Sequence, residues 1–226
     1  MGRAGILDRV IEAYLTELHG ALRGPRRVRA DLLTEVHDSL VDAAAAHRQK
    51  GLGPQEAERA AVREFGEDGA IAPEFQAELA IAQARRTAVL VLAVVAVEAI
   101  VAGVAWRLAA RGSDWTPSPT YALVAHTVDT IGYATTFAGA ALALLASGAG
   151  ARRLPLGPWF TRATGVFAWA VYLFFGVASV GLTVFSPVAR AMFANGSGFV
   201  LVAVCWILPL TIAVSARRCL RAAAPA

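Results

Sequence analysis

The sequence predicts an all-α protein in two parts: a small cytoplasmic helical bundle followed by a four-helix transmembrane bundle. Three observations carry this. Of the 226 residues, 57% are hydrophobic and only 17% are charged, whereas an ordinary soluble domain devotes roughly a quarter of its residues to Asp, Glu, Lys and Arg. The charge is also partitioned: residues 1–86 hold 12 of the 21 basic and 14 of the 17 acidic side chains, leaving nine bases and only Glu98, Asp114 and Asp129 beyond them. Finally, four windows, about 87–109, 120–146, 163–185 and 197–216, reach the ~20 mostly apolar residues that a helix needs to cross a bilayer. The domains follow as 1–82 and 83–221.

The first helix is predicted from Leu7, Val10, Ile11, Tyr14, Leu18 and Leu22, whose spacings of three and four put them on one face. Gly24-Pro25 breaks the chain and restarts it, with Pro25 suited to a first helical turn. The second helix carries Leu33, Val36, Leu40 and Ala44 as its buried stripe and stops near Gly51-Leu52-Gly53-Pro54. A third runs from Pro54 through Ala57, Ala61 and Phe65 to Gly66, placed as a C-cap. The spacing of Ile71, Phe75 and Leu79 predicts a fourth helix leading into the first span. A bundle of this size with few large apolar residues holds only a few kcal/mol of stability of its own, so a partner or a homo-oligomer is expected to support it.

The membrane part is ordered by its arginines. With four crossings, Arg85, Arg86, Arg152, Arg153, Arg162, Arg217, Arg218 and Arg221 fall on one side, against Arg111, Arg190 and Arg107 near the other. Positive residues collect on the cytoplasmic side. The expectation is a multi-pass protein of the cell inner membrane with both termini in the cytoplasm. Trp106, Trp115, Tyr121, Trp159 and Phe160 lie near span ends, where aromatic belts form. Asp8, Glu12 and Glu17 interrupt any signal-peptide apolar core. Net charge +4 originates in the apolar part, so it describes no nucleic-acid surface. Cys205 and Cys219, about 21 Å apart on one helix, are too distant to pair, and Pro209 is expected to bend that helix.

Gly24-Pro25-Arg26-Arg27, then Asp31-Leu32-Leu33, Glu35-Val36, Asp38, Leu40 and Asp42-Ala43, resemble the second helix of a known module. Gly51, Ala57-Glu58, Ala60, Val62, Phe65-Gly66, Ile71-Ala72 and Phe75 continue the pattern. The module is the HAAS domain (helix-turn-helix-associated alpha-helical signalling domain), also called permease prefix domain 1, here of actinobacterial type. The likeness covers about residues 6–80, a third of the chain. It implies a bacterial integral membrane protein that signals to a PadR-like winged-helix repressor, or a prefix to an ABC-type permease. Such permeases carry a large extracytoplasmic domain after their first span, whereas here that link is about ten residues.

Three sets of residues are candidates for function. Asp31, Glu35, Asp38 and Asp42 fall at i, i+4, i+7 and i+11, forming one acidic stripe for a basic partner or simply a solvated face. Arg23, Arg26, Arg27 and Arg29 oppose the dipole at a helix start; they fit lipid headgroups, worth about 1 kcal/mol per base, or neutralisation by Asp31. Glu98 stands about 18 Å along a helix from Arg86, near the bilayer centre. With His126 and Asp129 at i, i+3 of the next span, it forms a candidate intramembrane polar cluster or a helix-packing contact. Ala99/Gly103 and Gly139/Ala143 are small-residue pairs suited to close helix approach.

Catalytic, cofactor and metal sites are not expected, since no phosphate loop, zinc-ligand set or nucleophile triad stands out. The leading expectation is a non-enzymatic, membrane-anchored regulator whose cytoplasmic domain binds a protein, plausibly a PadR-like repressor. The alternative is a small transporter or accessory subunit of an ABC-type exporter using Glu98, His126 and Asp129.

Overall fold

The computed structural model describes residues 9–66, 71–111, 115–147, 157–188, 190 and 203–224. All regular elements among them are helical: α1 (Arg9–Ala21), α2 (Arg26–Gln49), α3 (Pro54–Gly66), α4 (Ala72–Ala110), α5 (Pro119–Leu145), α6 (Pro158–Phe185), a π-helical turn (Ala203–Ile207) and α7 (Leu208–Ala222). The chain divides into two compact units, Met1–Gln83 with Arg221–Ala226, and Ala84–Leu220.

In the first unit α1, α2 and α3 enclose an apolar core. Ile11, Leu18 and Leu22 come from α1 and its exit, Leu32, Val36, Leu40 and Ala44 from α2, and Ala61 from α3, closed by Ala72 and Leu79 of α4. Leu7, expected on the same face, lies outside the described residues. The α2 stripe runs through Leu32 rather than Leu33, which is only partly buried. Adjacent positions on a helix are 100° apart, so only one of two neighbouring leucines can take the seam, and the side of α2 that meets α1 and α3 carries Leu32.

The turns explain their residues. Pro25 precedes α2 at its N-cap instead of sitting in its first turn, with φ −60° and ψ 126°. Gly24 is needed for close approach, since a Cβ there would lie 2.8 Å from Leu79 Cβ. α2 ends in a Schellman motif: the N–H of Leu52 donates to His47 O at 3.3 Å and that of Gly51 to Arg48 O at 3.0 Å, with Gly51 at φ 95°. Gly66 closes α3 at φ 121°, in agreement with its expected role.

α4 is one helix of 39 residues, covering both the expected fourth helix and the expected first span. Its first residues count in the first unit and those from Ala84 onward in the second. In the second unit, Val91, Val94 and Val95 of α4 meet Ala168 and Val171 of α6 and Ile212 and Ala216 of α7. Gly139 of α5 faces α4, where a Cβ would stand 3.7 Å from Ala88 O, an ordinary contact. Among the described residues, a Cβ at Gly103 would meet only Arg107 of its own helix within 4 Å, and Ala99 is exposed.

Among the described residues, three helices are long and apolar enough to cross a membrane: Ala72–Leu108, Pro119–Leu145 and Pro158–Phe185. A quarter or less of each apolar window is buried, and Phe137, Phe185 and Val177 are each about three-quarters exposed. Apolar surface of that extent is matched to hydrocarbon rather than to water. In the fourth window, residues 197–202 lie outside the described set, as do Arg152 and Arg153. Its described remainder is not the continuous α-helix expected: a π-helical turn runs directly into Leu208-Pro209. Proline has no N–H for the α-ladder, and such turns absorb the interruption.

Candidate functional site

The four carboxylates of the α2 stripe are all exposed, but the structure separates them. Asp31 and Glu35 stand with Glu78 of α4 on the rim of a half-open groove of about 500 Å³, whose apolar lining is Val28, Leu32, Val36, Phe65 and Phe75, with Ser39 also on its wall. Asp38 lies outside the groove with its Oδ1 3.2 Å from Nδ1 of His37, and Asp42 does not line it.

Each lining residue follows from local structure. Leu32 and Val36 are inward positions of α2, one residue on from Asp31 and one on from Glu35, so carboxylate and apolar contact alternate along the groove. Phe65 is steered by Tyr14, whose ring it meets at 87° with centroids 6.4 Å apart. Phe75 and Glu78 share a face of α4 at i, i+3. Among the described residues, the side chains of Asp31, Glu35 and Glu78 make no hydrogen bond and no ion pair. Glu78 was not singled out from the sequence. Its spacing from Phe75 was readable, but the approach of α4 to α2 is tertiary.

The basic cluster is only partly free. Arg23, Arg26 and Arg27 are exposed, whereas Arg29 is half-buried and donates from Nη1 to Leu22 O at 3.0 Å. That bond gives Arg29 a structural task, closing the carbonyl end of α1. The main chain of Arg23 is held by Gln76: its N–H donates to Gln76 Oε1 at 2.8 Å and its carbonyl accepts from Nε2 at 2.9 Å. The same Nε2 reaches Ala222 O at 2.8 Å. No ion pair joins the cluster to Asp31 among the described residues.

The three residues of the candidate intramembrane cluster are not bonded to one another. Glu98 is half-buried on α4, while His126 and Asp129 are exposed on α5. The polar contacts of the second unit lie elsewhere. Thr87 Oγ1 and Ser215 Oγ are 2.9 Å apart and buried, and Cys219 Sγ donates to Thr161 O at 3.2 Å. Trp106, Trp115 and Tyr121 form a mutual aromatic cluster with centroids 5.1 to 6.1 Å apart. The Arg217 guanidinium lies 5.5 Å from the centre of the Trp169 ring. No group of three or more His, Cys, Asp or Glu able to hold a metal occurs among the described residues.

No family model, curated protein or solved structure matches the chain significantly.

Proposed function

We propose that this chain is a non-enzymatic, membrane-anchored regulator whose first unit, a HAAS-type helical domain, binds a protein partner in the cytoplasm. The candidate partner suggested by the resemblance is a PadR-like repressor. Four crossings, the fourth near residues 197–216, would hold the unit at the inner membrane with both termini in the cytoplasm. One observation carries this reading: a small unit with a closed apolar core leaves an apolar groove open under three carboxylates that make no ion pair among the described residues. Recognition of a partner is the chemistry such a surface performs best.

The test combines topology and capture with the full chain. Reporter fusions at each terminus and in the link near Pro117 place the termini on the cytoplasmic side and the link on the other. Membranes carrying the tagged protein then retain a winged-helix regulator encoded beside it. Termini on opposite sides, or no retention of that regulator at micromolar concentration, overturns the reading. Solute flux that disappears in Glu98→Gln would instead favour the export alternative.

A further inference from the structure

We propose that the groove between α2, α3 and α4 of the first unit receives a basic amphipathic helix from a partner protein. Its apolar side chains would enter between Leu32, Val36, Phe65 and Phe75, and its Arg or Lys residues would meet Asp31, Glu35 and Glu78. The inference deepens the regulatory reading and rests on it for its cellular setting.

Charge complementarity identifies the occupant. The rim carries three negative charges, exposed and without partners among the described residues, at a place where the floor is apolar. A purely apolar ligand would leave those carboxylates beside a dry interface, which costs free energy. An acidic ligand would be repelled. A polar extended peptide would waste the floor. A helix with Leu or Phe at i, i+3 or i+4 and cations flanking that stripe satisfies both features at once, in the manner of helix-in-groove recognition. A groove of about 500 Å³ falls within the range that holds a few large side chains. The basic Arg23, Arg26 and Arg27 of the same unit do not serve this purpose for their own groove, since none of them lines it.

The experiment uses the full chain in nanodiscs of zwitterionic lipid. The probe is a synthetic amphipathic peptide about 27 Å long as a helix, with a leucine stripe flanked by Arg and Lys. A scrambled peptide, a peptide with Glu in place of the bases, and empty nanodiscs are the controls. The expected result is saturable binding with a dissociation constant on the order of 10 μM, absent from all three controls and weakened several-fold by raising salt. Glu35→Lys combined with Glu78→Lys weakens binding at least about tenfold, while Glu56→Lys on α3, away from the groove, leaves it unchanged. Ser39→Phe blocks the wall with the carboxylates intact and has a similar effect. Because Glu35 and Glu78 are exposed, their reversal preserves the helical circular dichroism and the thermal midpoint, so the charge arm remains decisive if Ser39→Phe fails to fold.

Equal binding by the charge-reversed protein, or equal binding of the scrambled or acidic peptide, overturns the proposal. Self-association of the protein that competes with the peptide overturns it in favour of a second copy as occupant. Capture of the neighbouring regulator that ignores the groove variants removes the groove and leaves the regulatory reading standing. Peptide binding by a protein whose first unit proves to be outside the cytoplasm does the reverse.

Discussion

Tyr14 on α1 donates its phenolic O–H to the carbonyl of Gly66 at the end of α3, at 3.2 Å, which ties two helices together through a carbonyl that α3 itself leaves unpaired. Burial, and then the nearby charge of Glu17, hold the Tyr14 hydroxyl above its ordinary value of 10.0. The unfolded chain therefore releases this proton first. Its contribution to stability is complete below about pH 10 and is lost as pH rises through the higher folded value. Tyr14→Phe is expected to cost about 1 kcal/mol at neutral pH and to narrow its deficit against the parent above pH 10. Thermal melting of both proteins in nanodiscs from neutral to alkaline pH checks this; a constant difference would refute it.

Gly24 and Gly20 make a matched pair. A Cβ at Gly24 would collide with Leu79 at 2.8 Å, whereas at Gly20, exposed on α1, it would meet nothing within 4 Å. Gly24→Ala is expected to destabilise by about 1–3 kcal/mol and Gly20→Ala to stabilise by about 0.5–1 kcal/mol. Melting temperatures and the rate of proteolysis between α1 and α2 should move in opposite directions for the two variants.

Glu58 is 4% exposed, and its Oε2 accepts the Val10 backbone N–H at 3.2 Å in the first turn of α1. A carboxylate suits that end of a helix. Glu58→Gln keeps an acceptor and should cost about 1 kcal/mol, while Glu58→Ala, which orphans the amide and leaves a gap, should cost about 2–3 kcal/mol. Equal losses for the two variants would show that the hydrogen bond contributes nothing.

In the second unit the buried contact between Thr87 and Ser215 offers a direct measure of polar cohesion between helices. A double-mutant cycle with Thr87→Val and Ser215→Ala should return a coupling of about 0.6 kcal/mol, with about 1.7 as its upper bound. Unfolding in mixed micelles supplies the four stabilities, and a coupling indistinguishable from zero would count against the contact.

Much of the first unit was readable because its signals are local. Gly51 and Gly66 stand at helix ends where positive φ is required, and Val36, Leu40 and Ala44 repeat at helical spacing. What failed depended on neighbours. The choice of Leu32 over Leu33 is made by which side of α2 meets α1 and α3. Arg29 reads as one base among four until its guanidinium is found on Leu22 O. The acidic stripe was visible as four residues, but only two of them border the groove, and its third carboxylate, Glu78, comes from another helix. For Glu98, its place on one continuous helix with Arg86 was legible, and His126 and Asp129 are exposed and not bonded to it.

Gln76 holds the main chain of both Arg23, just after α1, and Ala222, the last residue of α7. A soluble fragment cut after Gln83 would thus be an incomplete copy of its own fold, missing a strip supplied by the tail and exposing what Ala222 and Ala223 now cover. Faithful dissection calls for grafting residues 221–224 back through a flexible tether, and tags at that terminus are better placed on a spacer than fused flush.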